Sequence, residues 1–122
     1  MSFNIDLFER VPVVGIMRHF EKNVIRKILP IYEKVGFTTV EITLNTKNAP
    51  ELIKEFSIRH PNLNIGAGTV CNMKDLDTAT NAGASFIVSP IFSEELIKEC
   101  IKREMAVFPG ALTPTEIYNA HI

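Results

Sequence analysis

The chain has 122 residues, of which 46% are hydrophobic and 22% charged, a composition typical of one globular domain and unlike a disordered chain. Its formal net charge of −1 gives no electrostatic attraction to nucleic acid or to an anionic membrane, so we expect a small-molecule partner. No apolar run approaches the ~18 residues that span a bilayer. The first residues also lack a signal-peptide pattern, so we expect a cytoplasmic protein.

Runs rich in β-branched residues alternate along the chain with runs of helical periodicity. Strands are predicted over residues 11–17, 38–44, 63–67, 86–88 and 106–108. Each strand is followed by a predicted helix, over 23–35, 49–59, 73–82, 93–103 and 115–120. The apolar positions of the first helix define its predicted core face: Val24, Ile28, Ile31 and Val35.

Residues at the ends of these helices support their boundaries. Gly36 and Gly83 are expected to end the first and third helices in the left-handed conformation. Pro50 lies in the first turn of the second helix. Ser93 and Thr113 each precede a first turn that contains an acidic residue, which predicts N-caps for the fourth and fifth helices.

A serial βα array predicts a parallel sheet with right-handed crossovers, in either an open doubly wound sheet or a closed (β/α)8 barrel. An open sheet would carry a glycine-rich phosphate loop after the first strand, where this chain has Arg18-His19-Phe20-Glu21. The pair Gly66-x-Gly68 lacks the third glycine of that loop. We therefore predict one α/β domain, residues 1–122, of the TIM-barrel class. Since such barrels need ~250 residues, we expect only the first five βα units here, with both sheet edges unpaired.

The end of the second strand is unusually polar. Glu41, Thr43 and Asn45 share one face by the two-residue period of a strand. If this face points into the barrel, burial raises the pKa of Glu41 while threonine hydroxyls lower it, as suits a group that transfers protons near neutral pH. A glutamate that faces solvent or caps a helix fits the position equally well.

Other strand ends offer further candidates. Thr69 follows Gly66 and Gly68, which let the backbone pass close to a ligand, although a plain tight turn explains the same pattern. Arg18 could bind a substrate carboxylate or phosphate, and a solvated surface arginine is the alternative. Pro90 lies where a parallel strand must stop, so strand termination explains it without function.

Metal and nucleophile sites are not indicated. Cys71 and Cys100 are far apart and lack neighbours at metal-ligand spacing, which predicts buried, reduced thiols, no metal and no cofactor. The three histidines share no spacing typical of a triad or metal site, and we assign them no role. No lysine lies in a predicted strand interior, where desolvation would suit it for imine formation.

Five motifs together resemble the KDPG/KHG aldolases and run over nearly the whole chain. They are VPVVGIMR (11–18), VEITLNT (40–46), IGAGTV (65–70), GASFIVSP (83–90) and FPGALTPTE (108–116). The resemblance implies a class I aldolase on a (β/α)8 barrel, usually a homotrimer, acting on 2-keto acids. Its members cleave 2-keto-3-deoxy-6-phosphogluconate to pyruvate and glyceraldehyde 3-phosphate, or 4-hydroxy-2-oxoglutarate to pyruvate and glyoxylate.

The resemblance also implies roles for individual residues. Glu41 resembles the general acid/base, Thr69 the hydroxyl that contacts the pyruvyl carboxylate, and Pro90 an apolar wall beside the substrate. Asn45 stands where KDPG aldolases commonly have arginine, and in this it resembles the related phosphogalactonate aldolases.

The family's imine-forming lysine lies on strand six, so we expect it after Ile122 and expect this chain to be inactive by itself. Two alternatives remain open: an aldolase for 2-dehydro-3-deoxy-6-phosphogalactonate, and a truncated, non-catalytic βα protein that covers its open edges by pairing with itself or another chain.

Overall fold

A computed structural model describes residues 2–121. The strands form one parallel five-stranded sheet in the order β1-β2-β3-β4-β5. The strands are β1 (Gly15–Met17), β2 (Thr39–Thr43), β3 (Asn64–Gly68), β4 (Phe86–Val88) and β5 (Ala106–Phe108). The helices are α1 (Ile5–Arg10), α2 (Lys22–Lys34), α3 (Ala49–Arg59), α4 (Met73–Asn81), α5 (Glu94–Lys102) and α6 (Pro114–His121).

The sequential strand order decides between the two predicted architectures. A doubly wound sheet reverses its strand order at a switch point, whereas a barrel adds each strand beside the one before it. The order seen here is that of the first five units of a barrel, which confirms the predicted fold class. Within residues 2–121, β1 and β5 each pair on one side only.

The predicted first strand, 11–17, was too long at its amino end. Only Gly15–Met17 is strand, and Val11 is instead the residue that ends α1. The Val13 amide donates to the Val11 carbonyl in a tight turn, and Pro12 has no amide hydrogen for a sheet ladder. Helix α1 was not predicted because its six residues give too short a periodic pattern.

The predicted core face of the first helix, which is α2 in the structure, was wrong for three of its four residues, and Ile28 alone of the four packs against the core. Ile25 and Leu29 are fully buried, whereas Val24, Ile31 and Val35 are 41%, 62% and 64% exposed. The cause lies at Tyr32, whose hydroxyl donates to the Thr39 carbonyl and accepts from the Gly15 amide. These two bonds turn the stripe of residues 25, 29 and 32 toward the sheet.

The helices pack on one face of the sheet. The strand residues on that face are Val40, Ile42, Ile65, Ala67 and Ile87. The fully buried helix residues that meet them include Ile25, Leu29, Leu52, Ile53, Leu76 and Leu96. The opposite face is the one that a closed barrel turns inward, and it carries the polar side chains of β2 and β3.

The predicted helix ends are confirmed. Gly36 and Gly83 have φ angles of +99° and +85°, where only glycine is free of strain. The Ser93 hydroxyl accepts from the Leu96 amide. At α6, the Thr113 hydroxyl accepts from the Glu116 amide and the Glu116 carboxylate accepts from the Thr113 amide, which is a capping box.

Helix α1 covers the amino end of the sheet. Its preceding residue Asn4 pairs with Asn64, the first residue of β3, through two hydrogen bonds of 2.8 and 2.9 Å. Four aromatic rings pack together beneath this pair at centroid separations of 5.5 to 6.1 Å. They are Phe3, Phe8, Phe86 and Phe108. These side chains fill the amino end of the inner face.

The Asn64 side chain provides a direct test of this arrangement. It is 2% exposed and bonds both Asn4 and the Thr39 hydroxyl. We expect Asn64→Ala to lower the free energy of unfolding by roughly 2–4 kcal/mol, because buried partners lose their bonds. Denaturant unfolding measures this change, with the exposed Asn62→Ala as control. Equal stability of the two variants would contradict the role of Asn64.

Candidate active site

The carboxyl ends of the strands bring the predicted site residues to one edge of the sheet. Arg18 follows β1, Glu41 lies within β2, Thr69 follows β3 and Pro90 follows β4. Because the strands are parallel and paired in sequence order, these residues lie along a single rim. Gly110, after β5, lies on the same rim and was not predicted as a site residue.

Glu41 is the chemically distinctive group of this rim. Its side chain lies on the inner face and is 3% exposed. It pairs in register with Gly66 of β3, and a Cβ atom on Gly68 would lie only 2.6 Å from its Oε1. Glycine at position 68 therefore makes room for the carboxylate. The other oxygen, Oε2, is buried without a hydrogen-bond partner among residues 2–121.

Burial raises the pKa of Glu41 above its ordinary value of 4.5, and the positive charge of Arg18 opposes part of this rise. A buried carboxylate with an unused oxygen is costly to the fold, so such groups concentrate where proteins bind or transform ligands. The arrangement suits a group that gives and takes protons near neutral pH.

Thr43 and Asn45 are placed differently from each other. Thr43 is fully buried, and its hydroxyl lies 2.9 Å from that of Thr46. Asn45 is exposed in the turn beyond the strand, where its amide is accessible to a ligand. The substrate-binding roles of Thr43 and Asn45 both stay predictions. The side chain of Asn45 is the more accessible of the two.

Thr69 occupies a strained turn. Its φ angle is +59°, which is unusual for a β-branched residue. The turn is held from both sides, since the Gly68 carbonyl accepts from the Leu44 amide of the β2 end and the Val70 amide donates to the Val88 carbonyl of β4. Strain held by neighbouring strands fixes Thr69 at the rim.

Pro90 is exposed, and the chain after β5 fixes its position. A Cβ atom on Gly110 would lie 2.4 Å from the Pro90 carbonyl carbon, so the two loops pass in direct backbone contact. The Ser89 amide also donates to the Phe108 carbonyl. Glycine is common at a turn where two backbones approach closely. In the sequence, the Pro109-Gly110 pair indicates such a turn.

The described residues contain no candidate metal site of three or more His, Cys, Asp or Glu side chains. Both cysteines are free, and Cys100 is buried as predicted, but Cys71 is only half-buried at the turn after β3. No helix in the part of the chain that the structure describes is long and apolar enough to cross a membrane. Every lysine is exposed and lies on a helix or loop.

Comparison with known proteins agrees with this geometry. The family model "KDPG and KHG aldolase" matches residues 5–121. The chain belongs to the KDPG/KHG aldolase family. A 2-dehydro-3-deoxy-phosphogluconate aldolase of Pseudomonas aeruginosa is 35% identical over 114 residues, which are 91% of this chain and 49% of the relative.

Two solved structures superpose closely on the sheet and helices. A KDPG aldolase from Legionella pneumophila, with pyruvate captured as a covalent carbinolamine intermediate, has a TM-score of 0.85 and 26% identity and covers 94% of this chain and 56% of its own. A native KDPGal structure has a TM-score of 0.86 and 27% identity and covers 99% and 57%. The chain thus spans about half the length of the aldolases that it matches.

In this aldolase-family chain, the raised pKa of Glu41 makes stability depend on pH. Between pH 4.5 and the folded-state pKa, the unfolded chain loses the Glu41 proton while the folded chain keeps it, so this group makes stability fall as pH rises. Above the folded-state pKa the full cost is present. We expect Glu41→Gln to be more stable than the parent at neutral pH, by about 1.4 kcal/mol per unit of pKa elevation.

Denaturant unfolding of both proteins across pH 4 to 8 checks this prediction, with about ten points. The gain from Glu41→Gln should be absent at the acid end and reach a plateau at the alkaline end. Glu51→Gln changes an exposed glutamate of α3 in the same way and serves as control. A Glu41→Gln protein that is no more stable than the parent at neutral pH would contradict the burial of a charged carboxylate.

Proposed function

We propose that the protein is a class I aldolase that cleaves 2-keto-3-deoxy-6-phosphogluconate, 4-hydroxy-2-oxoglutarate, or both, to pyruvate and an aldehyde. In this proposal the chain supplies the proton-transfer part of the active site. The observation that carries the proposal is Glu41, a buried carboxylate with a raised pKa and an unused oxygen at the rim of an aldolase-family barrel.

Each step of the proposed reaction balances with Glu41 as the proton carrier. A neutral lysine amine adds to the C2 ketone, and a proton passes from its nitrogen to the ketone oxygen to give a hydroxyl. Glu41 then gives the proton with which this hydroxyl leaves as water, forming a protonated imine. Glu41 then accepts the C4 hydroxyl proton, directly or through water, as the C3–C4 bond breaks. The bond electrons move to the protonated imine nitrogen and give an enamine, the aldehyde leaves, and Glu41 returns the proton to C3. Water then hydrolyses the resulting imine, which releases pyruvate and the lysine amine and returns a proton to Glu41.

Arg18, Thr69 and Pro90 complete the proposed substrate site. Arg18 is a cation near Glu41 and suits a substrate carboxylate or phosphate. Thr69 offers a hydroxyl at a fixed turn, which suits the pyruvyl carboxylate, and Pro90 provides an apolar wall. No metal or cofactor enters these steps, because the imine serves as the electron sink.

We further propose that the imine-forming lysine comes from outside the described residues, so that residues 1–122 alone are inactive. The exposure of every lysine in the described part supports this, since a lysine in water keeps its proton and is a poor nucleophile. Further strands would pair with β1 and β5 and close the barrel. The family resemblance also supports a cytoplasmic homotrimer as the working assembly.

Borohydride trapping tests the imine. The protein that contains this chain, incubated with pyruvate and sodium borohydride, should gain one reduced pyruvyl adduct in its intact mass. Peptide mapping should place the adduct on a lysine other than Lys22, Lys27, Lys34, Lys47, Lys54, Lys74, Lys98 and Lys102. An adduct on one of these lysines refutes the proposed location, and a protein without any adduct is better explained as a non-catalytic βα assembly protein.

The role of Glu41 is tested by kinetics. We expect Glu41→Gln to reduce kcat for cleavage roughly 10²- to 10⁴-fold, the usual contribution of a positioned acid/base. It should slow the exchange of pyruvate methyl protons with deuterated water by a similar factor, since both need proton transfer at C3. Glu51→Gln should leave both rates near those of the parent. Full exchange activity in Glu41→Gln would exclude the proposed role.

Asn45 favours a second candidate substrate, 2-dehydro-3-deoxy-6-phosphogalactonate, which differs from the gluconate compound at C4. A neutral amide replaces the cation that KDPG aldolases commonly carry at this position. We expect Asn45→Arg to change the ratio of kcat/KM values for the two C4 epimers by about tenfold toward the gluconate compound, a change of about 1.4 kcal/mol. Parallel cleavage assays measure the ratio, and an unchanged ratio would remove Asn45 from substrate discrimination.

A further inference from the structure

The buried hydroxyl of Thr46 lies beside the active site and takes no part in the reaction steps proposed above. Thr46 lies in the turn after β2 and is 3% exposed. Its Oγ1 accepts from the His19 amide at 3.0 Å and lies 3.3 Å from the Met17 carbonyl. It also lies 2.9 Å from the Thr43 hydroxyl. A threonine hydroxyl has one proton and two acceptor sites, so these three partners use its full capacity.

The distances favour one of two possible directions for the hydroxyl protons. The Thr46 hydroxyl accepts from the His19 amide and so is free to donate to the Met17 carbonyl, while the Thr43 hydroxyl donates to Thr46. The alternative, in which Thr43 donates to the Met17 carbonyl, has the longer distance of 3.5 Å. Since the contacts of Thr46 are shorter, Thr46 is the main link between the two strand ends.

The two peptide groups that Thr46 contacts lie on either side of Arg18. His19 has a φ angle of +58°, an uncommon conformation for a residue other than glycine. The bond from its amide to Thr46 holds the chain in this turn. Ile16 pairs in register with Glu41, and the two-residue period places Arg18 on the same face as Ile16. The turn therefore decides where the Arg18 side chain begins.

We propose that Thr46 is a positioning residue whose hydroxyl fixes the peptide groups flanking Arg18, and thereby the point from which the exposed Arg18 side chain extends at the rim beside Glu41. The hydrogen bonds of Thr46 within residues 2–121 go to His19, Met17 and Thr43, and none goes to Glu41. Arg18 is the charged group of the described residues that acts on Glu41, and burial is the other influence. The importance of Thr46 for turnover rests on the proposed aldolase function, but its effect on Glu41 does not.

The first experiment measures the pKa of Glu41 by carbon-13 NMR of the glutamate carboxyls in the protein that contains this chain, with Glu41→Gln for assignment. Thr46→Val keeps the shape of the side chain and removes its hydroxyl. We expect it to raise the pKa of Glu41 further, because the backbone on both sides of Arg18 is no longer fixed and the opposing positive charge moves away. Thr46→Ser keeps the hydroxyl and should leave the pKa near the parent value. Thr115→Val, at an exposed site on α6, is the control.

A double-variant cycle shows whether the effect passes through Arg18. Arg18→Gln should itself raise the pKa of Glu41, and Thr46→Val should add little in the Arg18→Gln background. An equal added shift in that background would overturn the proposal, as would a parent-like pKa in Thr46→Val with only lower stability. If Thr46→Val does not fold, Thr46→Cys replaces it, because a thiol hydrogen-bonds only weakly.

Kinetics provide the second readout. We expect Thr46→Val to lower kcat/KM roughly 10- to 100-fold, the scale of a small misplacement at a catalytic site. Because Glu41 first gives a proton, its raised pKa should move the alkaline limb of the kcat/KM pH profile upward. Thr46→Ser should restore both. A protein with no aldolase activity refutes the proposed function while the NMR titration still decides the role of Thr46. A kcat/KM loss without a shift of the alkaline limb would count against the proposal.

Discussion

The active-site geometry depends on the register between β2 and β3. This register pairs Glu41 with Gly66 and Thr43 with Gly68, so two residues without side chains lie beside the one buried carboxylate. A shift of one residue would turn Glu41 toward the helices and bring Ile42 to the inner face. The apolar outer face, with Val40 and Ile42 fully buried, excludes that shift. The packing of the helices on the sheet thus keeps the acid inside.

The two ends of the sheet differ in backbone strain and in how fully their buried polar groups are hydrogen-bonded. At the amino end, Asn4 and Asn64 satisfy each other and four aromatic rings fill the space beneath them. At the carboxyl end, Thr69 and His19 have left-handed backbones, and Glu41 keeps one buried oxygen without a partner. Strain and unused polar groups accumulate where a ligand can compensate for them, and the well-packed end supplies the stability that this requires.

The sequence predicted the elements well where its signals are local. The strand and helix order, the caps at Gly36, Gly83 and Ser93, and the parallel barrel class follow from periodicity and turn chemistry. Helix α1 was missed because it is short, and the core face of α2 was misassigned because the bonds of Tyr32 to Thr39 and Gly15 are tertiary. Periodicity gives the existence of an apolar stripe, but contacts with other elements decide which of two neighbouring stripes is buried.

The site could be predicted only as a set of residues. Parallel strand ends place Arg18, Glu41, Thr69 and Pro90 on one rim, and that follows from topology alone. The Gly110 contact with Pro90 and the Thr46 bonds across to β1 depend on how two loops meet in space. Neither contact leaves a periodic or compositional signal in the sequence. In the sequence, Thr46 cannot be distinguished from any other polar residue of a turn.

The aromatic cluster under α1 has a consequence for how such a barrel changes over evolutionary time. It extends from α1 to the Phe86 ring, which lies over Gly66, the residue that pairs with Glu41, but its rings share no hydrogen bond with the rim. Substitutions among these rings are tolerated when the new side chain fills the same volume. Substitutions at the rim are tolerated when the new side chain preserves the chemistry of the site. Because packing constrains the aromatic cluster and chemistry constrains the rim, the barrel can accept conservative substitutions in the cluster while the substrate specificity of the rim changes.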